Sequence, residues 1–128
     1  MDDGPGGPCI GAGMENNQVI ELSESEIQKQ IVDWLKIEEA IIFRMNAGKT
    51  TKNVTPVPNG TPDLLVVTKQ GFVCWIEVKT AKGKLRDSQI DMICSLKERK
   101  QEILIARSLE QVQEYINRMS PSKESELF

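Results

Sequence analysis

The stretch PDLLVVTKQGFVCWIEVK, residues 62–79, decides the fold of this 128-residue chain. It contains two apolar runs rich in β-branched and aromatic residues, LLVV and FVCWI, with the tight-turn signal Gln70-Gly71 between them. This pattern predicts two strands, over residues 63–69 and 72–79, that pair as a hairpin. Charged side chains stand at the outer ends of both strands, so the pairing register decides which charged groups meet.

The length of the turn sets this register. If the loop has three residues and Gly71 adopts a left-handed conformation, Thr68 lies opposite Phe72 and Asp63 falls directly opposite Glu77. Opposite residues on one face of a sheet have Cβ atoms about 4.5–5.5 Å apart. Two carboxylates that close repel each other unless a cation lies between them, and hard oxygen ligands favour Mg²⁺ or Mn²⁺. A two-residue turn would shift the pairing by one residue and separate the two carboxylates.

Lys79 follows Glu77 by two residues and therefore projects from the same face of the strand. In that position it could orient an attacking water or stabilise negative charge on a reacting phosphate. The ordinary alternative is a pair of edge-strand charges on a solvated face. Because Asp63 and Glu77 are the only acids among residues 44–86, a shared site is the better interpretation.

The first predicted helix supplies a third candidate carboxylate. Ser23 and Glu26 fit a capping box that begins a helix extending to about Ile37. Since successive helical residues are about 100° apart, Glu24 lies on the core side of this helix, whereas Glu26 already has the capping role. We therefore expect Glu24 to join the site; the alternative is a charge that only stabilises the helix N-terminus.

The remaining elements follow from hydrophobic periodicity and capping signals. We predict strands over residues 40–45 and 102–107, a helix capped by Asp87 or Ser88, and a last helix capped by Ser108. The inner side of the middle helix is predicted to carry Ile90, Ile93 and Cys94. The order αβββαβα indicates an α/β fold with a mixed central sheet flanked by helices.

Length and composition favour a single domain. Residues 1–22 are predicted to be a disordered extension, residues 23–119 to form the domain, and residues 120–128 to be a flexible tail. Residues 46–62 form a long polar loop, and such loops in compact domains are usually functional or mobile.

The composition excludes several classes of chemistry. The chain has no histidine, so Ser-His-Asp systems, histidine bases and most imidazole metal sites are excluded. Residues 47–50, AGKT, resemble the end of a P-loop, but Phe43 stands where that motif needs glycine, so no nucleotide cofactor is expected. The longest apolar run, residues 72–76, is too short to cross a membrane, so no membrane partner is expected.

The three cysteines show no CxxC spacing and no disulfide pattern. Cys74 and Cys94 lie in apolar surroundings and are predicted to be small core residues. A reducing compartment fits this usage, so the expected location is the cytoplasm, that of the host cell if the protein is viral.

The net charge of −3 conceals a basic middle. Residues 1–43 carry a net charge of −7, whereas residues 44–86 carry +6. Because the local field matters more than the total charge for a polyanion partner, this distribution is compatible with DNA binding. The alternative is an ordinary solvated loop surface.

These features resemble the VRR-NUC family of the PD-(D/E)XK nuclease superfamily, and in particular its small stand-alone, phage-like members, which are similar to Holliday-junction resolvases. The central residues of the resemblance are Pro62-Asp63 and Glu77-Val78-Lys79. The wider match, over about residues 23–117, includes SESEIQKQIVDWL, FRMNAG, GTPDLLVV, WIEVKTAKGKL with Gln89, and EILIARSLEQVQEYI.

The resemblance implies a restriction-endonuclease-like core and Mg²⁺-dependent hydrolysis of DNA phosphodiester bonds, with Mn²⁺ able to substitute. By this resemblance, Asp63, Glu77 and the Val78 carbonyl would hold the metal, and Glu24 would complete the site. Lys79 would act on the attacking water. Gln89, at the start of the next helix, would correspond to a glutamine that the family has near its site.

DNA-contacting residues are also expected. By the resemblance, Arg44 and Asn46 mark a strand end that faces DNA, and the basic stretch adds Lys49, Lys82, Lys84 and Arg86. Arg86 is a departure, because the family often has serine after Gly-Lys-Leu. Stand-alone relatives are expected to act as homodimers on branched DNA such as four-way junctions. Two alternatives stay open: a non-catalytic DNA-binding module on the same fold, and a sequence-specific endonuclease of the restriction type.

Overall fold

The structure, a computed structural model, describes residues 21–45 and 57–120. Its elements are α1 (Glu24–Ile37), β1 (Ile41–Arg44), β2 (Leu64–Val67), β3 (Val73–Val78), α2 (Asp87–Glu98), β4 (Ile103–Ala106) and α3 (Leu109–Met119). The predicted order αβββαβα and the α/β class are therefore confirmed. In the described ranges, no helix combines the length and hydropathy that a membrane crossing requires.

The four strands form one mixed sheet in the order β1-β2-β3-β4. The first three strands pair antiparallel, and β4 runs parallel to β3. A parallel pair needs a long crossover connection, which α2 and its flanking loops provide. The first turn of α2 lies next to the end of β3.

The register of the β2–β3 hairpin is the predicted one. Leu64 pairs with Ile76, so Asp63, one residue earlier, stands opposite Glu77. The structure therefore confirms the pairing on which the shared-site interpretation rests.

The turn explains why the register is fixed. The N–H of Thr68 donates to the carbonyl of Phe72 at 2.8 Å, which closes a three-residue loop over residues 69–71. The hydroxyl of Thr68 also accepts from the N–H of Phe72 at 2.9 Å. Gly71 has φ +94°, the left-handed conformation that this loop requires.

One face of the sheet packs against α1 and α3 to form the core. The core residues alternate along the strands and recur at helical spacing; they are Ile27, Ile31, Val32, Leu35, Leu64, Val66, Cys74, Ile76, Val78, Ala106, Val112, Tyr115 and Ile116. Cys74 is buried as predicted, and burial raises its thiol pKa to about 12. The thiol is thus a packing group of the core.

The capping box of α1 is confirmed. The Ser23 hydroxyl accepts from the N–H of Glu26 at 3.2 Å, and the Glu26 carboxylate accepts from the N–H of Ser23 at 2.8 Å. Glu26 is occupied by the helix end, which leaves Glu24 as the carboxylate of this turn that can face a site.

The predictions for α2 were wrong in two respects. Ile93 is buried, but Cys94 is exposed and the exposed fraction of Ile90 is 44%. The helix packs mainly on β4, at the margin of the sheet, so only a narrow stripe of it is covered. The helix also begins one residue early: Arg86, not Asp87 or Ser88, is the N-cap residue, although its side chain makes no capping hydrogen bond.

Some predicted features lie outside the described residues. They are most of the N-terminal extension, the tail after residue 120, the P-loop-like residues 47–50, and the candidate DNA contacts Asn46 and Lys49.

Candidate active site

Asp63 is fixed across the hairpin from Glu77. Its backbone carbonyl accepts a hydrogen bond of 2.8 Å from the N–H of Met45, and this bond ties the end of β1 to the start of β2. Its carboxylate oxygen Oδ2 accepts from the N–H of Val78, also at 2.8 Å. Because both its backbone and its side chain are bonded, the Asp63 carboxylate is held beside the end of β3.

Glu77 is almost completely buried, with 3% of its surface exposed. Its Oε2 atom accepts from Nε2 of Gln89 at 3.0 Å. The Oε1 atom of Gln89 in turn accepts from the N–H of Arg86 at 2.8 Å. Gln89 therefore uses both ends of its amide to join the first turn of α2 to the Glu77 carboxylate.

The environment of Glu77 disfavours its charge. Burial, and next the negative charge of Asp63, raise the pKa of Glu77 to about 7. The positive charge of Lys79 acts in the opposite direction and does not outweigh these two effects. An added cation would strongly stabilise the charged form of a carboxyl group in such an environment.

Lys79 extends into the same space from the residue after β3. Its side chain is 5% exposed, and Nζ lies 4.0 Å from Oε2 of Glu77 and 3.9 Å from Oε2 of Glu24. At these distances the groups form ion pairs, but they are too far apart for hydrogen bonds. The ammonium group thus lies between two carboxylates without a close hydrogen bond to either.

All these side chains line one pocket of about 270 Å³. Its wall contains the predicted site residues Glu24, Asp63, Glu77, Lys79 and Gln89, together with Arg86 and the loop before β2. The topology therefore brings together groups that lie far apart in the sequence, from the start of α1 to the start of α2.

The model of the VRR-NUC domain family matches residues 15–110, three quarters of the chain. The chain belongs to the VRR-NUC family. A solved structure described as a VRR_NUC domain shares this fold, with a TM-score of 0.59 and 19% identity; the similarity covers 77% of this chain and 99% of that one. No curated protein matches the chain.

Membership in the VRR-NUC family assigns the chain to a family of nucleases, which implies DNA as the substrate. The described residues of this VRR-NUC domain contain no group of three or more acidic or cysteine side chains arranged to hold a metal ion. The side chain of Glu24 is 52% exposed and is paired with Lys79. Glu24 thus lines the pocket as predicted, while its role as a metal ligand stays a prediction.

The predicted DNA contacts that fall within the described residues of the VRR-NUC domain lie in three places. Arg86 lines the pocket itself. Arg44 is exposed at the end of β1, and Lys82 and Lys84 are exposed in the loop that follows β3. Nζ of Lys82 lies 3.8 Å from a carboxylate oxygen of Glu21. Because the Lys82 side chain is 86% exposed, this ion pair is weak and leaves the lysine charge accessible to a phosphate.

The loop before β2 packs against the first turn of α2 and so supports the pocket. In the sequence, this loop stood out only as the Gly-Thr part of the family motif GTPDLLVV. Gly60 has φ +86°, and a Cβ atom at this position would lie 2.1 Å from the carbonyl oxygen of Ser88. Thr61 is buried and donates its hydroxyl to the carbonyl of Pro58 at 2.6 Å. Gly60 therefore lets the loop pack against the first turn of α2, next to Gln89.

This close packing predicts a difference between two glycine substitutions. Gly60→Ala and Gly71→Ala both place a side chain at positive φ, which costs about 1–2 kcal/mol. Only Gly60→Ala also meets backbone atoms, because nothing lies within 4 Å of a Cβ atom at Gly71. Urea denaturation should show a clearly larger loss of stability for Gly60→Ala. Equal losses would mean that this loop does not pack on α2.

Proposed function

We propose that this protein is a metal-dependent, structure-selective DNA endonuclease that hydrolyses phosphodiester bonds in branched DNA such as four-way junctions. One observation carries the proposal: Asp63 stands opposite Glu77 in the register of the hairpin, and both lie beside the buried ammonium group of Lys79. An anionic pair with an adjacent cation is suited to in-line hydrolysis of a phosphate ester.

The two facing carboxylates of the pocket, Asp63 and Glu77, suit a divalent cation. Glu77 is buried next to the negative charge of Asp63, and its pKa is raised for that reason. The donors are hard oxygens, which Mg²⁺ and Mn²⁺ prefer. Asp63, Glu77 and the Val78 carbonyl would hold the ion, with Glu24 at the margin. When bound, the ion supplies positive charge at the scissile phosphate and acidifies a water molecule.

Three side chains of the protein have the other roles in the proposed reaction. Lys79 orients the attacking water and stabilises the charge that develops on the phosphate. Gln89 keeps the Glu77 carboxylate in place through the hydrogen bond at 3.0 Å. Arg86 lines the pocket, and its positive charge would contact the phosphate backbone next to the scissile bond.

The surface around the pocket supports DNA binding. Lys82, Lys84 and Arg86 are exposed in the segment between β3 and α2, and Arg44 is exposed at the end of β1, beside β2. These side chains can neutralise phosphates on either side of the cleaved bond. The preference for branched DNA is supported by the sequence resemblance to stand-alone VRR-NUC proteins.

We propose a homodimer on the same ground, and one face of the sheet is compatible with it. Ile41 and Val73 both stand opposite Val67 in the strand register and therefore share a face. Both are exposed, as is Phe43 two residues along β1. An apolar surface of this kind suits contact with a second copy of the chain.

The proposal is tested by incubating the purified protein with labelled linear, splayed, flap and four-way DNA, with Mg²⁺ or with EDTA. We expect cleavage only with Mg²⁺, strongest on the four-way substrate. Size exclusion with light scattering should give the mass of a dimer.

Two other outcomes would replace the proposal. Salt-sensitive binding without cleavage under any metal would indicate a DNA-binding module. Cleavage of linear duplex at a fixed sequence would indicate a restriction-type enzyme.

A further inference from the structure

Arg107, just after β4, binds the turn that follows the proposed catalytic lysine. Its Nη1 atom donates to the carbonyl oxygen of Thr80 at 2.6 Å and to that of Gly83 at 2.7 Å. A third carbonyl, that of Ala81, lies 3.4 Å away. One guanidinium nitrogen thus collects three carbonyl oxygens from residues 80–83.

A positively charged donor suits such a cluster of carbonyl oxygens. Residues 80–83 form a tight turn, closed by the N–H of Gly83 donating to the carbonyl of Thr80 at 3.1 Å. The carbonyls of Thr80, Ala81 and Gly83 converge on the guanidinium group of Arg107, which has only donors. Arg107 therefore holds the turn in one conformation.

Arg107 is itself firmly placed. It follows β4, whose last residue, Ala106, accepts from the N–H of Lys79 at 2.9 Å. The N–H of Arg107 donates to the side chain of Gln111 in the first turn of α3 at 2.6 Å. The ends of the parallel strands β3 and β4 thus carry Lys79 and Arg107 side by side.

The turn held by Arg107 lies beside the hydrocarbon part of Lys79. A Cβ atom added to Gly83 would come within 3.5 Å of Cδ of Lys79, so the backbone of Gly83 is close to the lysine stem. The Lys79 side chain is only 5% exposed, and its ammonium group lies 4.0 Å from Glu77. If the turn moved away, the Lys79 side chain would become exposed to solvent and could adopt other rotamers.

We infer that Arg107 is a positioning residue: it holds residues 80–83 against the stem of Lys79 and so keeps the Lys79 ammonium group beside Glu77. The catalytic consequence rests on the proposed nuclease function, whereas the placement of Lys79 does not. Arg107 acts through this turn and is not expected to contact the substrate.

The test compares Arg107→Met, which removes the donors, with Arg107→Lys, which keeps a charge and some donors. Arg99→Met is the matched control, because Arg99 also donates from Nη1 to a carbonyl, that of Ser95 at 2.9 Å, but on the exposed end of α2. We expect Arg107→Met to lower kcat roughly 10- to 100-fold, since small misplacements of reacting groups have effects of this size. KM and DNA affinity in EDTA should stay unchanged, and Arg107→Lys should recover part of the loss.

A second measurement is independent of activity. Acetylation of lysines by an N-hydroxysuccinimide ester, mapped by peptide mass spectrometry, should be slow at Lys79 in the wild type. It should become faster at Lys79 in Arg107→Met and intermediate in Arg107→Lys, while Lys36 on α1 and Lys97 on α2, which are exposed and lie outside this turn, serve as internal references.

The outcomes separate the two proposals. If both Arg107 variants show wild-type acetylation of Lys79 and a wild-type kcat, the positioning role is overturned, whatever happens to their thermal stability. If the wild type cleaves no DNA but Arg107→Met exposes Lys79 to acetylation, the proposed function fails and the positioning role stands.

Discussion

Asp63→Asn should abolish Mg²⁺-dependent cleavage while leaving the fold and DNA binding intact. The asparagine keeps an oxygen that can accept from the N–H of Val78, as Asp63 does at 2.8 Å, so the end of β3 should not move. What disappears is the negative charge opposite Glu77 that the proposed cation needs. We expect a loss of cleavage rate of about 10³-fold or more, because the ion that would activate the attacking water is no longer held.

DNA binding measured in EDTA should be equal to or tighter than that of the wild type, because a negative charge that repels phosphate is removed. Asp91→Asn, an exposed carboxylate on α2, is the matched control and should cleave normally. Wild-type Mg²⁺-dependent cleavage by purified Asp63→Asn would remove Asp63 from the site.

The hairpin that places Asp63 was predictable because its determinants are local. The turn glycine, the two apolar runs and their spacing all lie within 18 residues, and Gly71 adopts the left-handed conformation that the three-residue loop demands. Register then follows from turn geometry alone. The proximity of two carboxylates 14 positions apart was therefore readable from the sequence.

The middle helix was harder to predict because periodicity does not report how wide a covered face is. Ile90 and Cys94 occupy positions on the apolar side of α2, yet both are exposed, since α2 packs mainly on β4. Its start was also misplaced. The side chain of Gln89 accepts from the N–H of Arg86, which begins the helix at a residue without any side-chain acceptor.

Supports made by long-range backbone contacts had no sequence signal of their own. Arg107 reaches carbonyl oxygens of residues more than 20 positions earlier, and Gly60 packs on Ser88 of α2. Neither contact produces periodicity, capping residues or a charge pattern. Such residues are found only when the topology shows which chain segments meet.

Glu77→Gln should make the metal-free protein more stable above pH 7 and remove its response to Mg²⁺. The pKa of Glu77 is about 7 in the folded protein against an ordinary value of 4.5, chiefly because of burial. Between these values the folded protein keeps a proton that the unfolded chain has lost, so wild-type stability falls as pH rises from about 4.5 to about 7. Glutamine keeps an oxygen that can accept from Gln89 and carries no charge at any pH.

Thermal denaturation in EDTA should therefore show nearly equal midpoints for Glu77→Gln and wild type near pH 4.5. Above pH 7 the variant should melt roughly 10–15 °C higher, since each pKa unit between 4.5 and 7 is worth about 1.4 kcal/mol and each kcal/mol shifts the midpoint of a domain of this size by about 3–5 °C. Adding Mg²⁺ at pH 8 should raise the midpoint of the wild type alone, because a bound cation would compensate the buried charge. Glu98→Gln, at the exposed end of α2, is the control and should behave like wild type. If Mg²⁺ shifted Glu77→Gln as much as the wild type, Glu77 would not be a ligand.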